Sequence, residues 1–427
     1  MKISEIKPGK VELQGWIENL RDKKSMQFIV IRDLSGKIQV TVVKAEKPEI
    51  AEIFSSATLE STVKITGEAV ANEFVKLGGI EIIPESVEIT SKAEALPIGP
   101  ESSIDQRLDY RWIDLRTDKN QLLFKFQSYF VNAMREYLIN HDFTEIHTPK
   151  FIGTASESGA EVFEVKYFDR KAYLAQSPQF YKQMAMAGGL ERIFEIAPCF
   201  RAEKSHTKKH ATEFTSFDVE FSYINSFQDV MNLEAEMIAY GLKKTKEKYG
   251  DKVKEIFGVD ITVPTLPFPQ MKLLDIYDEL EKRYGFTVPE EEKTDLTTEA
   301  ERLCERLAKD KFNHEFLLVT DYPPQKRAFY HMRENGVLQG YDLIWKGIEI
   351  TSGAQREHRI EELAKNAKEK GLEKDVEFYL QFFKMAFHHT ADLLLVLTVL
   401  QCFFLVFLHS KKHNSCLEDQ TVLTLKI

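Results

Sequence analysis

The sequence predicts an α+β protein in two parts: a small N-terminal β-barrel and a larger domain in which strands alternate with helices. Three observations predict it. Short β-rich runs recur through residues 1–95, and apolar residues recur at helical spacing over Phe124–Leu138. Between them lies Ala95–Ser103, whose Pro97 and Pro100 mark a linker.

The first part reads as five strands: Val11–Trp16, Gln27–Arg32, Ile38–Val43, Ser61–Glu68 and Ile80–Thr90. Turn signals at Leu34-Ser35-Gly36-Lys37 and Gly78-Gly79 separate some of them. A helical stretch near Glu46–Ser56 falls between the third and fourth strands. Five closely spaced strands with a helix at that point suit an OB-fold. A linker or hinge follows over 96–120. A mixed domain then spans 121–384, with an insertion at about 227–305. Residues 385–427 differ in character: Leu393–Leu408 has sixteen residues without a charge, slightly short for a membrane span.

Composition narrows the function. The chain has 427 residues, and at roughly 100–200 per domain it holds two to four domains. Lys+Arg is 57 against Asp+Glu 67, a net charge of −10. A bulk basic protein is excluded, so nucleic-acid contact must come from a local patch. The 4 cysteines form no CxxC pair and no zinc-ligand spacing, so a reducing cytoplasm is expected. The N-terminus lacks the apolar core of a signal peptide.

Three constellations carry chemistry. Phe200-Arg201-Ala202-Glu203, a polar loop Lys204–His210, then Phe214 and Asp218-Val219-Glu220 read as two strands joined by a basic loop. Arg201, Glu203, Lys208, Lys209, His210 and Phe214 would then surround one pocket. Arginine neutralises phosphate, an aromatic stacks a purine, and a carboxylate reads an amine, which together suit ATP. A solvated, exposed hairpin is the competing reading. In Gln176-Ser177-Pro178-Gln179-Phe180-Tyr181-Lys182, Pro178 suits a helix start, so Gln179 and Lys182 share a face. They could hold a small zwitterion with an extra carboxylate, although an ordinary helix start with an exposed lysine is the simpler alternative. Asp342, Glu349 and Ser352 form a hard-oxygen set suited to Mg²⁺ on phosphates, with Arg356 nearby for a carboxylate. A surface strand with a salt bridge competes there.

These motifs, in this order, resemble class II aminoacyl-tRNA synthetases of the archaeal and eukaryotic aspartate branch. The resemblance covers about residues 10–384. Leu138–Pro149 resembles motif 1, which forms a homodimer interface. FRAE with EFTSFDVE resembles motif 2, and QSPQFYKQ and EITSGAQREH resemble the aspartate branch. The resemblance implies a catalytic sheet that is antiparallel and flanked by helices. It implies that Arg201 meets the α-phosphate and the attacked carboxylate, with Glu203 at the adenine amine or the tRNA end. Phe214 would stack adenine, Lys209 and His210 would serve the phosphates, and Glu349 would help bind ATP. Where the family has Thr-x-Arg-His, this chain has Thr207-Lys208-Lys209-His210, which keeps charge but loses the planar fork. Ser156, Glu157 and Gln179 would hold the aspartate amino group. Lys182 and Arg356 would pair with its side-chain carboxylate, Ser352 would line the same site, and Asp342, Glu349 and Ser352 would hold Mg²⁺. In the barrel, Phe28, Gln39 and Glu81 match anticodon contacts, although Phe28 could equally be a core aromatic. The activity implied is ATP-dependent aspartate–tRNA ligation on tRNA(Asp), with tRNA(Asn) a further candidate acceptor.

One motif is missing. The third class II motif, glycine-rich and ending in an arginine that clamps the γ-phosphate, should follow Phe378–Lys384. The chain instead reads Met385-Ala386-Phe387-His388-His389-Thr390-Ala391-Asp392-Leu393. Shifted by one base, codons for those nine residues can encode Tyr-Gly-Phe-Pro-Pro-His-Gly-Gly-Phe. Leu397-Thr398-Val399 can hide Leu-Asp-Arg, and Glu418–Leu423 can hide Arg-Gly-Pro-Asn-Arg-Leu. Residues 385–427 therefore read as out-of-frame translation, and the apolar run as an accident of the shift, which argues against a membrane anchor. The expectation is a chain impaired in adenylate formation, whose tail does not fill the sheet with native packing. A non-catalytic tRNA- or amino-acid-binding paralogue and an asparagine–tRNA ligase are the rival functions. Lys182 and the TSGAQRE run disfavour the latter.

Overall fold

A computed structural model of the chain describes residues 1–153, 162–202, 212–324, 327–385 and 387–396. Two compact units divide after Tyr110, within the 96–120 stretch read as a linker.

The first unit holds β1 (Gly9–Asp22), β2 (Met26–Arg32), β3 (Lys37–Val43), α1 (Pro48–Ser56), β4 (Thr62–Ala71), β5 (Ile80–Ser91) and the short α2 (Ile104–Asp109). The five strands close into a barrel in the order β1-β2-β3-β5-β4, with α1 between β3 and β4 as the sequence pattern requires. Alternation produces the closure. Ile29, Ile31, Val40, Val42, Ile65 and Ile82 are fully buried inside, and the residues between them face outward.

The second unit begins with α3 (Arg111–Asp114) and α4 (Asp118–Ile139), capped where the Thr117 hydroxyl accepts from the Asn120 amide. Then come β6 (Thr144–Glu145), β7 (Phe151–Ile152), β8 (Glu164–Tyr167), β9 (Arg170–Leu174), α5 (Gln179–Ala187), β10 (Arg192–Phe200) and β11 (Glu213–Ser222). The long α6 (Gln228–Phe257), β12 (Gln270–Lys272), α7 (Leu273–Tyr284), α8 (Thr298–Phe312) and β13 (Phe316–Thr320) follow. The remainder is β14 (Arg333–Glu334), β15 (Val337–Leu338), β16 (Gly340–Trp345), β17 (Ile348–Gln355), α9 (Ile360–Glu369), α10 (Glu377–Phe383) and β18 (Thr390–Val396).

Eight strands form one sheet in the order β12-β13-β16-β17-β18-β11-β10-β6, antiparallel except at its two ends. On one face lie α4 and α6, which approach closely because Gly241 leaves room for the Phe130 ring. On that same face Gly353 makes room for its cross-strand partner Tyr341, whose ring a β-carbon there would meet at 2.6 Å. On the opposite face, α7 and α8 cover the β12/β13 edge through Leu273, Leu280, Leu307, Leu317 and Ile344. Helices α5, α9 and α10 join through Phe180, Leu363, Tyr379 and Phe383.

Within residues 227–305, read as an insertion, α6 lies under the sheet and β12 forms its edge. One sequence expectation changes here. The start of the tail does fill the sheet. Strand β18 lies between β11 and β17, hydrogen-bonded to both. Its Ala391, Leu393 and Leu395 are fully buried, and alternation turns Thr390, Asp392 and Leu394 to the other side. Backbone pairing is indifferent to side chains, and an alternating apolar run satisfies a central strand whatever its origin. Residues 397–427 lie outside the described residues. Among the described residues no helix is long and apolar enough to cross a membrane.

Beneath the sheet, Glu234 of α6 is fully buried and accepts a 2.7 Å hydrogen bond from the Tyr341 hydroxyl. Burial pushes its carboxyl up to about 7 from 4.5. A raised acid favours the protonated folded state, so folding loses stability as pH rises from the unfolded value toward 7. Glu234→Gln should remove that loss, worth up to about 3 kcal/mol above pH 7 at 1.36 kcal/mol per unit. Urea unfolding at pH 5 and pH 8 checks it: the variant's advantage should grow with pH.

Candidate active site

Register places the functional side chains on one face. Cross-strand partners share a side of the sheet. One row runs Glu195, Asp218, Leu394, Ser352, Asp342, and the adjacent row on the same side runs Ile193, Glu220, Asp392, Ala354, Gly340. Phe214 and Ser216 continue the series along β11. Glu349 would fall on the other side of a regular strand. The register shift between Leu343 and Ile344 adds one residue to β17, and that bulge brings Glu349 round to the side of Ser352.

Lys182 lies at the centre of this face. Pro178 caps α5 and the helix aims Gln179 and Lys182 at the sheet, as their spacing predicts. The lysine is not exposed: it is fully buried. Its Nζ lies 2.7 Å from Asp392, 3.0 Å from Asp218 and 3.9 Å from Glu220. Arg356, also buried, pairs with the other oxygen of Asp392, and its Nη2 donates to Gln179 Oε1 at 3.3 Å. Gln179 in turn donates to Glu220 at 3.3 Å. Burial works against the Lys182 ammonium, yet Asp392, Asp218 and Glu220 outweigh it and hold its pKa above the ordinary lysine range. Burial pushes Glu220 up to about 8. Asp392 goes the other way, because Arg356 and Lys182 overcome its burial and keep it ionised.

In the hard-oxygen set, Asp342 is paired with Arg327, whose guanidinium meets its two oxygens at 2.5 and 3.2 Å. A buried carboxylate needs such a partner. Among the described residues no group of three His, Cys, Asp or Glu could hold a metal ion by itself. Glu349 and Ser352 on one face of β17, with Asp342 across from Ser352, are the hard-oxygen side chains that would hold a Mg²⁺ ion and help it neutralise phosphates.

At the β10–β11 hairpin, the Arg201 amide donates to the Thr212 carbonyl at 2.9 Å, closing the ladder. The Arg201 guanidinium lies 5.2 Å from the Phe214 ring centroid, so the residues expected at phosphate and adenine are adjacent. Ser156, Glu157, Glu203, Lys208, Lys209 and His210 lie outside the described residues. The end of the motif 1 stretch is tied down by Glu195, which accepts from the Thr148 amide and hydroxyl, each at 2.7 Å.

In the barrel, Phe28, Gln39 and Glu81 share an outer face. Phe28 is Cα partner to Thr41, and Gln39 to Glu81. Phe28 is half-buried and outside the core, with the Arg21 guanidinium 6.0 Å from its ring. Glu81 accepts from Thr41, from Gln39 at 3.2 Å and from Asn72 at 2.7 Å.

Sequence reasoning did not identify four residues as partners of Lys182 and Asp342. Asp218 and Glu220 carried a legible signal, two carboxylates at strand spacing. Arg327 and Asp392 carried none, because their partners are 15 and 210 residues away.

Comparison with known proteins identifies the family of both units. A family described as tRNA synthetases class II (D, K and N) matches residues 103–393, and an OB-fold nucleic acid binding domain matches residues 11–90. The chain is 40% identical to an aspartate–tRNA(Asp/Asn) ligase of Aeropyrum pernix, over 88% of this chain and 86% of that one. It is 37% identical to an aspartate–tRNA(Asp) ligase of Pyrococcus furiosus, over 89% and 88%. Among solved structures, the asparaginyl-tRNA synthetase of Pyrococcus horikoshii with asparaginyl-adenylate superposes with a TM-score of 0.86 at 29% identity, covering 96% of this chain and 95% of that one. An aspartyl tRNA synthetase of Entamoeba histolytica gives 0.82 at 28% identity, over 92% and 85%.

Lys182→Met should destabilise the fold by about 3–5 kcal/mol, because it leaves buried carboxylates unpaired. Adding Asp392→Ala should recover part of that loss by removing one of them. Urea unfolding of the single and double variants measures both, and an unchanged unfolding free energy in the single variant would sink the claim.

Proposed function

The chain belongs to the class II tRNA synthetases of the D, K and N group, and from that premise we propose that it is built to activate L-aspartate with ATP and to transfer it to tRNA(Asp). The observation that carries the choice of amino acid is the pair of buried cations, Lys182 and Arg356, converging on one carboxylate. A second reading, asparagine as substrate, draws on the likeness to the asparaginyl enzyme. The cations disfavour it: an amide brings no charge, and its NH₂ would face two donors.

In this reading the α-carboxylate of aspartate attacks the α-phosphorus of ATP in line, and pyrophosphate leaves. Arg201 neutralises the charge that develops on the phosphorus oxygens. Lys182 and Arg356 hold the side-chain carboxylate, and Gln179, Ser156 and Glu157 hold the amino group. Phe214 and Glu203 position the adenine, and Lys209 and His210 meet the outer phosphates. When bound, Mg²⁺ supplies further neutralisation of the phosphates, held by Glu349 and Ser352. The terminal ribose hydroxyl of the tRNA then attacks the aspartyl-adenylate carbonyl and AMP leaves. No side chain serves as nucleophile, so the protein contributes position and electrostatics.

Phe28, Gln39 and Glu81 take the anticodon by stacking and edge hydrogen bonds. Two copies associate through Leu138–Pro149, in the cytoplasm; exposed Ile139 supports that interface. Relatives are named for tRNA(Asp) alone and for tRNA(Asp/Asn), and aminoacylation of each purified tRNA defines the acceptor range here.

The chain carries no motif 3 arginine in frame, and the one-base shift accounts for that. Pyrophosphate exchange should therefore be at least about 10²–10³-fold slower than in a frame-restored twin, since the lost arginine alone removes one charge-assisted contact to the transition state. Equal rates would show the present tail to be a working substitute. In the restored twin, Lys182→Ala should cut aspartate-dependent exchange by at least about 30-fold while leaving ATP binding intact. Normal exchange kinetics would refute the role given to Lys182.

A further inference from the structure

Asp392 contributes a carboxylate at the point where Lys182 and Arg356 converge. One oxygen lies 2.7 Å from Lys182 Nζ and the other meets Arg356 Nη2. All three side chains are nearly inaccessible to solvent, at 1%, 1% and 6% exposure. We propose that Asp392 is a built-in occupant of the acid subsite: the chain's own carboxylate stands where the side-chain carboxylate of L-aspartate would bind, and excludes it. The inference rests on the reading of Lys182 and Arg356 as the acid-binding pair.

The placement comes from the backbone. Strand β18 is hydrogen-bonded on both sides, with Asp392 opposite Glu220 on one neighbour and Ala354 on the other. That register cannot slip by one residue without turning Leu393 and Leu395 out of the helix-facing core. Asp392 therefore cannot leave by a small shift of the strand. A free ligand must rotate its side chain away from two buried cations, into a face that already holds Asp218 and Glu220. Deleting the side chain leaves a carboxylate-sized gap between the cations. It also leaves Lys182 beside Asp218 at 3.0 Å and Arg356 donating to Gln179, so each cation keeps a polar partner. Glycine is also what the one-base-shifted reading places at this position.

Calorimetric titration of the full chain with L-aspartate, beside Asp392→Gly and Asp392→Ala, tests the proposal. Asp392→Ala retains a β-carbon and ordinary strand backbone, and serves if the glycine variant does not fold. The opened chains should bind L-aspartate at least about 100-fold more tightly than the unaltered chain, the equivalent of about 3 kcal/mol at 1.4 kcal/mol per decade. Adding Lys182→Ala should abolish the gain, and L-asparagine should gain far less. Equal affinity in unaltered and opened chains, lost on Lys182→Ala, overturns the role of Asp392 while the acid-binding reading stands. Absence of binding to a folded opened chain overturns that reading, and the occupant role with it.

Discussion

Five ionisable side chains, Lys182, Asp218, Glu220, Arg356 and Asp392, meet inside the central sheet with almost no solvent. Charges so buried are tolerated only when each finds an opposite charge at contact distance. That requirement ties together four separate pieces of chain: helix α5, strand β11, the end of β17 and strand β18. It also sets the chemistry of the face. Two cations converging on one point make a receptor for one carboxylate, and in this chain Asp392 takes that place.

The rest of the second unit supports that cluster from both sides of one sheet. Below it, α4 and α6 bury the alternate residues of the same strands; Gly241 lets the two helices approach, and Gly353 gives room to the ring of Tyr341. Above it, α5, α9 and α10 pack together, with the Phe180 and Tyr379 rings tilted at 33° and their centroids 4.6 Å apart. The bulge in β17 has a comparable part. One extra residue brings Glu349 to the side of Ser352, so a hard-oxygen pair forms at a spacing that a regular strand would divide between two faces.

Strand β18 shows how little a central strand asks of its sequence. Thr390–Val396 bears no resemblance to the glycine-rich motif expected at its place, yet it pairs with both neighbours and buries three apolar side chains. Backbone hydrogen bonds and alternation suffice for the seat. They do not suffice for the chemistry, since the residue turned toward the active face is Asp392 where the shifted reading places glycine.

Much of this was legible in the sequence because the signals were local. The five barrel strands and α1 follow from alternation and turn residues, and Pro178 with its three-residue spacing puts Gln179 beside Lys182. The tertiary structure alone decided the rest, for a physical reason: charge pairing and layer packing act between residues far apart in the chain. It sent Lys182 to full burial when an exposed helix start was the simpler reading, and it paired Asp342 with Arg327. It placed Phe28 on the barrel's outer face, and it joined 227–305 to the sheet as layer and edge. Above all it brought Asp392 to Lys182 across 210 residues, a contact that no periodicity encodes, because only the closing of the sheet makes them neighbours.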